Sequence, residues 1–492
     1  MSPFTLEIGL AVLILVVFVA NLGAGGADRR WTGWVSAYGL LALTGAALWL
    51  SPAPPALGGA FVQDGLALFA KRLFLVASVI GVVGGLRLPG PVFARRAAEY
   101  HLLLLASLLG MLVLASARDL ILLFVAFELM SIPLYVLAGF AKREATAVEA
   151  ALKFFLVGSV SSAVMAYGLS FVYGAARTTS LPGVVQALPG GDPLLLLGIV
   201  ATFAGCGFKI AAFPFHMWVP DAYEAAPTPF VAWLSVAPKA AGFVALFRVY
   251  FEGAGAGAAT WGPLAAGLAT LTIVAGNLMA LPQQNAKRLL AYSGIAHIGY
   301  MLVGIAAASS AGTAMVLFYL VAYVFGNMGA FLVVEAVARA QGSAHLSAFR
   351  GLAQRSPLLA RAMLLFLLSL GGIPFVAGFW AKLYVFWAAA QQGLYWLVLV
   401  GAVLTVVALF YYLVVARRMY IEPPEHAGPL DLAPTLRLAV ILCALGVVLL
   451  GVYPKPLVMA ALRVAAPLFD RRGAAVGRLP SEESILNAQP DR

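Results

Sequence analysis

Six ionisable side chains stand inside long apolar runs: Glu128, Lys153, Lys209, Lys239, His297 and Lys382. A charge at the centre of a membrane helix costs about 2.5–3.5 kcal/mol on insertion scales, so such residues face a bundle interior and mark functional pathways by default. Glu128 lies in Phe127-Glu128-Leu129-Met130-Ser131-Ile132-Pro133-Leu134-Tyr135. At about 1.5 Å per residue it sits roughly 13 Å into its helix, near the bilayer midplane. Lys209 follows Phe208, and Pro214 breaks that helix five residues later, ahead of the polar and aromatic stretch His216–Glu224. Lys239 is mid-span after Pro238, and His297 lies in Ile295-Ala296-His297-Ile298-Gly299-Tyr300. Lys382 comes after a second break, Gly371-Gly372-Ile373-Pro374. The chemistry open to these residue types is proton transfer. Burial disfavours the charged form of an amine, so an amine out of water can release and regain a proton near neutral pH, and a nearby carboxylate holds that proton on. Lysine, lysine, histidine and lysine on separate spans would form a lateral chain, bridged by water and hydroxyls where broken helices free backbone groups.

Plainer readings stand beside this one. Lys153 is four residues after Glu149 and fits an ordinary helix pair or a snorkelling side chain. His297 fits an interhelical hydrogen bond. Lys71 and Arg72 fit the membrane interface, and Glu335 fits a helix end. His216, Asp221 and Glu224 fit caps on the broken seventh helix rather than a proton shuttle. A purely structural role suits Lys209, Lys239 and Glu128 least, because four lysines and a glutamate exceed what packing needs.

The elements that must position these residues are helices. The chain is 63% hydrophobic and 10% charged, against about 25% charge in soluble domains. Its mean hydropathy is +0.97. The apolar runs are long enough for helices rather than barrel strands, which makes this an all-α polytopic membrane protein. Fourteen spans are expected near 4–22, 33–51, 62–86, 100–117, 119–140, 149–173, 192–213, 228–251, 260–281, 290–308, 312–338, 358–390, 393–415 and 436–454. The seventh continues through its break to about 220, and residues 463–492 read as a polar tail without periodicity. The first span follows no basic segment and no clear cleavage site, so it reads as a retained helix. Cys206 and Cys443 sit in apolar runs with no metal spacing and read as plain helix residues. The net charge of +11 resides in short loops, which argues for topology rather than a nucleic-acid partner.

Loop charge then sets an expected orientation. Loops after odd-numbered spans carry Arg29, Arg30, Arg87, Arg95, Arg96, Lys142, Arg143, Lys287, Arg288, Arg339, Arg350, Arg355, Arg361, Arg417, Arg418 and Arg437. The opposite loops carry Arg118, Arg177 and Arg248 before the tail. The first set should be cytoplasmic and both termini periplasmic, in a bacterial cytoplasmic membrane. A duplication is also visible. Glu128 stands nine residues after Asp119, and His297 nine after Arg288, with the breaks at Pro214 and Pro374 in corresponding places. The expected divisions are 1–99 for the first three spans, 100–251 and 260–415 for two five-helix repeats, 416–462 for a loop and the last span, and 463–492 for the tail. Five is odd, so the repeats are inverted, with discontinuous helices 7 and 12 at a midplane site.

These residues carry a resemblance. The motifs are Phe127–Tyr135, Lys153-Phe154-Phe155 followed by Gly158-Ser159, His216–Glu224 leading to Pro227-Thr228-Pro229, Leu290–His297, and Gly372-Ile373-Pro374 with Gly378-Phe379 and Lys382. Over roughly 60–420 the chain resembles the antiporter-like, proton-translocating subunits of respiratory complex I, a family that includes subunits of multisubunit sodium/proton antiporters. The resemblance implies fourteen helices with two inverted five-helix repeats. It implies that Glu128 tunes Lys209, that Lys153 lies near that pair, that Lys239 continues the chain, and that Lys382 links to the periplasmic exit, with His297 as the weakest transfer. It also implies that this is not the type with a long C-terminal lateral helix. The sequence has no ferredoxin-type cysteine run, Walker loop or dinucleotide fingerprint. FMN, iron-sulfur clusters and quinone are therefore expected in partner subunits. The expected partners are other membrane and peripheral subunits of complex I, above all homologous antiporter-like subunits, within a lipid bilayer. The alternatives are an Mrp-type sodium/proton antiporter subunit and a membrane scaffold whose lysines only hold helices together.

Overall fold

The computed structural model describes residues 2–23, 28–88, 90–187, 193–253, 258–424, 428–430 and 432–469. The polar tail expected from 463 lies outside the described residues from 470 onward. Residues 463–469 differ from that expectation, because they end a helix, Lys455–Phe469.

The fold is an all-α membrane bundle; among the described residues twelve helices are long and apolar enough to cross a membrane, and Trp31–Trp49 and the split pair Pro357–Gly371 and Ala377–Gln391 are numbered with them as crossings. The first three are α1 (Thr5–Gly23), α2 (Trp31–Trp49) and α3 (Gly65–Gly85). Then come α4 (Pro91–Ser116), α5 (Leu120–Ala138), α6 (Ala145–Ala176) and the short α7 (Leu181–Ala187). The seventh crossing is split into α8 (Pro193–Ile210) and α9 (Val219–Ala225). The eighth is α10 (Thr228–Leu234) and α11 (Ala237–Leu246), ending in a π-helical turn, Phe247–Gly253. The second half has α12 (Ala258–Ala280), α13 (Ala286–Ala306), α14 (Ser310–Gln341) and the short α15 (Leu352–Arg355). The twelfth crossing is split into α16 (Pro357–Gly371) and α17 (Ala377–Gln391). α18 (Tyr395–Tyr420), α19 (Pro434–Val452) and α20 (Lys455–Phe469) complete the described chain. Apolar side chains that face outward on α1, α5, α6 and α18 are those a bilayer or neighbouring helices cover.

The repeats can be traced through their helix ends. Asp119 caps α5 by accepting from the backbone N–H of Ile121 (2.9 Å) and Leu122 (3.2 Å). Asn285 caps α13 by accepting from Lys287 N–H (2.8 Å). Each cap also pairs with an extended strand of backbone from the same half. Leu120 N–H donates to Thr179 O, and Leu181 N–H to Arg118 O. Ala286 N–H donates to Ala344 O, and Leu346 N–H to Gln284 O. Glycines then let the following helices close: Gly110 on α4 abuts the backbone of Met130, and Gly276 on α12 abuts the backbone of Ala296. Five crossings separate the equivalents, so the halves run in opposite senses across the membrane. One offset relates Asp119 to Asn285, Gly110 to Gly276 and Met130 to Ala296, and it places Ser131, not Glu128, opposite His297. The pairing of Glu128 with His297 read from the sequence is therefore one helical turn out of register.

Both breaks use one hinge. Ala212 N–H donates to Gly207 O and Ala211 N–H to Phe208 O, with Ala211 at φ +67. Ile373 N–H donates to Leu368 O and Gly372 N–H to Ser369 O, with Gly372 at φ +82. This pair of bonds with a left-handed residue is the Schellman ending, and a proline three residues after Ala211 and two after Gly372 prevents the helix from resuming. A third interruption, absent from the sequence reading, divides the eighth crossing at Ser235–Val236. Pro238 supplies no N–H to the carbonyl of Leu234, and Lys239 is thereby placed in the first turn of α11.

Candidate functional site

Four of the predicted residues form a buried row. Lys209, Lys239, His297 and Lys382 are 2%, 1%, 3% and 4% exposed and come from α8, α11, α13 and α17. At one end, Lys209 Nζ donates to Ser131 Oγ (2.7 Å), and Ser131 Oγ donates to Phe127 O (2.6 Å). The same ammonium lies over the rings of Phe127 (5.0 Å) and Phe208 (5.4 Å). Glu128, half-buried one turn before Ser131 on α5, accepts from Ser162 Oγ (2.6 Å). Glu128 thus makes no direct ion pair with Lys209; a hydroxyl serves each of them.

Lys239 Nζ lies over the ring of Tyr223 from α9 at 5.5 Å. His297 follows, with Nδ1 at 2.8 Å from Tyr319 Oη and Nε2 at 3.3 Å from Tyr412 Oη. Ser293 and Tyr412 share a further hydrogen bond. Beyond them Tyr411 Oη donates to Asn277 Oδ1 (3.1 Å), and Asn277 Nδ2 donates to Tyr300 Oη (3.2 Å). Lys382 Nζ ends the row, 4.6 Å over the ring of Tyr300 and 3.5 Å from Gly371 O, a carbonyl at the second hinge. Each lysine faces aromatic rings or neutral oxygens instead of a carboxylate. Such surroundings leave the amine's charge only weakly compensated, so its protonation responds to charge nearby.

Lys153 stands apart. Its side chain is 48% exposed and pairs with Glu149 (2.7 Å) and Asp221 (2.8 Å). Asp221 also receives Arg288 (2.8 Å), and Glu224 receives Arg288 (2.9 Å) and Asn285 (3.0 Å). Asp221 and Glu224 both lie on α9, so this cluster straps the second half of the broken seventh crossing to α6 and α13. Burial by itself would raise the Asp221 carboxyl, but Lys153 and Arg288 outweigh that and hold it below the usual 3.8. His216 lies in the break, its ring stacked on Phe213 at 5.3 Å.

A family model described as "NADH:quinone oxidoreductase/Mrp antiporter, TM" matches residues 117–408. NADH-quinone oxidoreductase subunit N of Moorella thermoacetica is 43% identical over 468 residues, covering 94% of this chain and 98% of that one. The chain belongs to the subunit N family of NADH-quinone oxidoreductases. A chain of respiratory complex I from Thermus thermophilus superposes with a TM-score of 0.81 at 34% identity, covering 93% of this chain and 99% of that one. A chain of the Mrp complex from Dietzia sp. has a TM-score of 0.85 at 21% identity, covering 96% and 98%, and shares the fold.

For a subunit N chain, the residues missed by sequence reasoning are mostly hydroxyls and amides: Ser131, Ser162, Asn277, Tyr300, Tyr319 and Tyr412. Tyr319 and Tyr323 sit one turn apart on α14, a spacing that could have pointed to a polar stripe inside an apolar run. Several charges are also placed differently from expectation. Lys71 is fully buried and pairs with Glu7 (2.7 Å), so it is not interfacial. Arg72 donates to the carbonyls of Ala47 and Leu50 at the end of α2. Arg248 is no loop cation: it is fully buried and clamps Asp64 (2.6 and 2.8 Å) and Ala115 O (2.9 Å). Lys287 is buried too, donating to Glu224 O (2.8 Å) and Ala226 O (2.9 Å) at the end of α9. Glu335 pairs with Arg339 near the end of α14, as expected of a helix end. Cys206 and Cys443 are buried and free. Among the described residues no group of three His, Cys, Asp or Glu side chains is placed to hold a metal.

Proposed function

We propose that this chain is the proton-translocating membrane subunit of an NADH:quinone oxidoreductase, moving protons along the buried row from Lys209 through Lys239 and His297 to Lys382. The row itself carries the reading: three lysines and a histidine on four helices, joined by hydroxyls and rings, with no buried carboxylate to fix their charge. Glu128, held by Ser162 beside the Lys209 turn, biases the proton on Lys209. Lys153, through Asp221, acts on α9 and so on Tyr223 beneath Lys239. Electron transfer from NADH to quinone would occur in partner subunits, which would hold FMN, iron-sulfur clusters and quinone. The arginine-rich loops would face the cytoplasm and the termini the periplasm of a bacterial inner membrane. The repeats would divide near 100–251 and 260–415.

The test uses membrane vesicles containing the assembled complex with Lys209→Ala. Quinone-dependent NADH oxidation and proton uptake are followed together. Both should collapse while the complex remains assembled; undiminished oxidation and pumping would reject the row as the pathway. Sodium/proton antiport is the second reading, favoured by the shared Mrp fold, and it predicts sodium-driven proton movement without NADH.

A further inference from the structure

Lys287 stands at the wrong end of its own helix. It is the second residue of α13, and Arg288 is the third. The amino end of a helix carries partial positive charge, so cations there are unfavourable, and the first turn of α13 holds no acidic residue to offset them. Both cations serve α9 instead. Arg288 pairs with Asp221 and Glu224. Lys287 is 8% exposed, and its Nζ donates to Glu224 O (2.8 Å) and Ala226 O (2.9 Å). At the carboxyl end of a helix a cation is favourable, and here a donor is also needed. Ala226 N–H closes onto Ala222 O, but Pro227 has no N–H to offer the carbonyls behind it. Burial opposes the ammonium of Lys287, and the carboxylates of Glu335, Glu224 and Glu144 support it.

What α9 carries to the row is Tyr223. This side chain is wholly buried, and its ring meets those of Trp218 (6.1 Å) and Phe331 (5.7 Å) and lies 5.5 Å from Lys239 Nζ. Among the described residues its hydroxyl has no hydrogen-bond partner. Its place is therefore set by packing and by the backbone of α9, a helix of two turns that is too short to stand alone. Tyr223 is next in the chain to Glu224, whose carbonyl Lys287 holds. We infer that Lys287 is a positioning residue for Lys239: it fixes the carboxyl end of α9 and so keeps the Tyr223 ring under the Lys239 ammonium. The inference deepens the proton-transfer reading above and rests on it. The ring attracts the ammonium and does nothing comparable for the neutral amine. The polar groups that face Lys239 are Tyr223 on α9, Tyr323 on α14 and His297 on α13, with no carboxylate among them. Loss of the ring is thus felt directly by the row.

The experiment uses vesicles containing the assembled complex. NADH-driven proton uptake is measured across pH, and deuterium exchange of the α9 amides is measured beside it. Lys287→Met removes both hydrogen bonds and the charge at nearly constant length. Exchange in α9 should rise at least about tenfold, and the pH profile of uptake should move to lower pH by about one unit. Lys287→Arg keeps the charge and the donors and should recover at least about half of both changes. Tyr223→Leu leaves the Lys287 bonds in place. It should give the same shift of the profile with α9 exchange within about twofold of the parent, and adding Lys287→Met should move the profile no further. A Lys287 that serves only to hold the fold would loosen α9 without moving the profile, and that outcome overturns the proposal. So does a parent-like profile in Tyr223→Leu, which tests the ring even where Lys287→Met is lost from the complex. If Lys239→Ala pumps like the parent, the failure belongs to the proton-transfer reading itself.

Discussion

Beyond the first break, the half-helix α9 is held by charge: Asp221 and Glu224 reach Lys153, Asn285 and Arg288, and Lys287 closes its last carbonyls. Beyond the second break, α17 is held by backbone contact and neutral hydrogen bonds. Gly378 packs directly on the carbonyl of Ser369, its N–H donates to Ser369 Oγ (3.0 Å), and Trp380 Nε1 donates to Gly451 O (2.8 Å). The hinges are alike, but the attachments are opposite in kind. Ion pairs that reach solvent weaken with salt and acid, whereas close backbone packing does not. The lysines follow the same division. Lys209 precedes its hinge and Lys382 follows its own, so the ionic half-helix lies after the first lysine and the packed half-helix carries the last.

The packed attachment of α17 is most vulnerable at Gly378. A valine there would drive its branched Cβ into the carbonyl of Ser369, which cannot retreat without undoing the end of α16. The cost should be about 3 kcal/mol, and the subunit should be lost from the assembled complex on native gels. Normal assembly would show that α17 is not held by this contact. A smaller change sharpens the likeness of the hinges. Ala211 carries a side chain at φ +67, where glycine is at ease and other residues strain by about 1–2 kcal/mol. Ala211→Gly should raise the thermal midpoint, while Gly372→Ala should lower it; shifts of the same sign would mean that the hinges differ in their backbone demands.

The mildest change tests the ionic half alone. Asp221 has a folded value below its ordinary one, so its contribution is fully present above about pH 4 and is lost as the pH falls through the lowered value. Asp221→Asn should make the amides of α9 exchange faster with deuterium at neutral pH. High salt should reproduce this in the parent and leave α17 unchanged. If α17 responds as strongly as α9, the two half-helices are held in the same way.

Much of this was legible because a charge inside an apolar run has no ordinary place to be. Glu128, Lys209, Lys239, His297 and Lys382 announced themselves in that way, and Pro214 and Pro374 announced the breaks. The oxygens that join them did not. Ser131, Ser162 and Tyr412 are unremarkable in membrane helices, and only folding decides which serine or tyrosine faces a lysine. Arg248 and Lys287 were misread for the opposite reason. Each stands at the end of an apolar run and counts as a loop cation, yet each turns inward to carboxylates or helix-end carbonyls that no local pattern reveals. The shift in register between the repeats has the same origin. Glu128 and His297 match in spacing from nearby charges, but the helix caps and glycine contacts fix the superposition, and those require three dimensions. Helix α20 is apolar but only fifteen residues long, too short to stand out as a membrane span.

That last helix has a consequence for how the molecule is made. α20 packs against α3 and α14, and its Phe469 ring meets Phe251 at the end of the eighth crossing. The outer surface of residues 65–85 is therefore closed only when residues 455–469, several hundred positions further along the chain, are in place. Contacts between such distant stretches of chain form late, since a long loop must be drawn together first. Until α20 closes over it, α3, with its buried Lys71, is an incompletely covered surface.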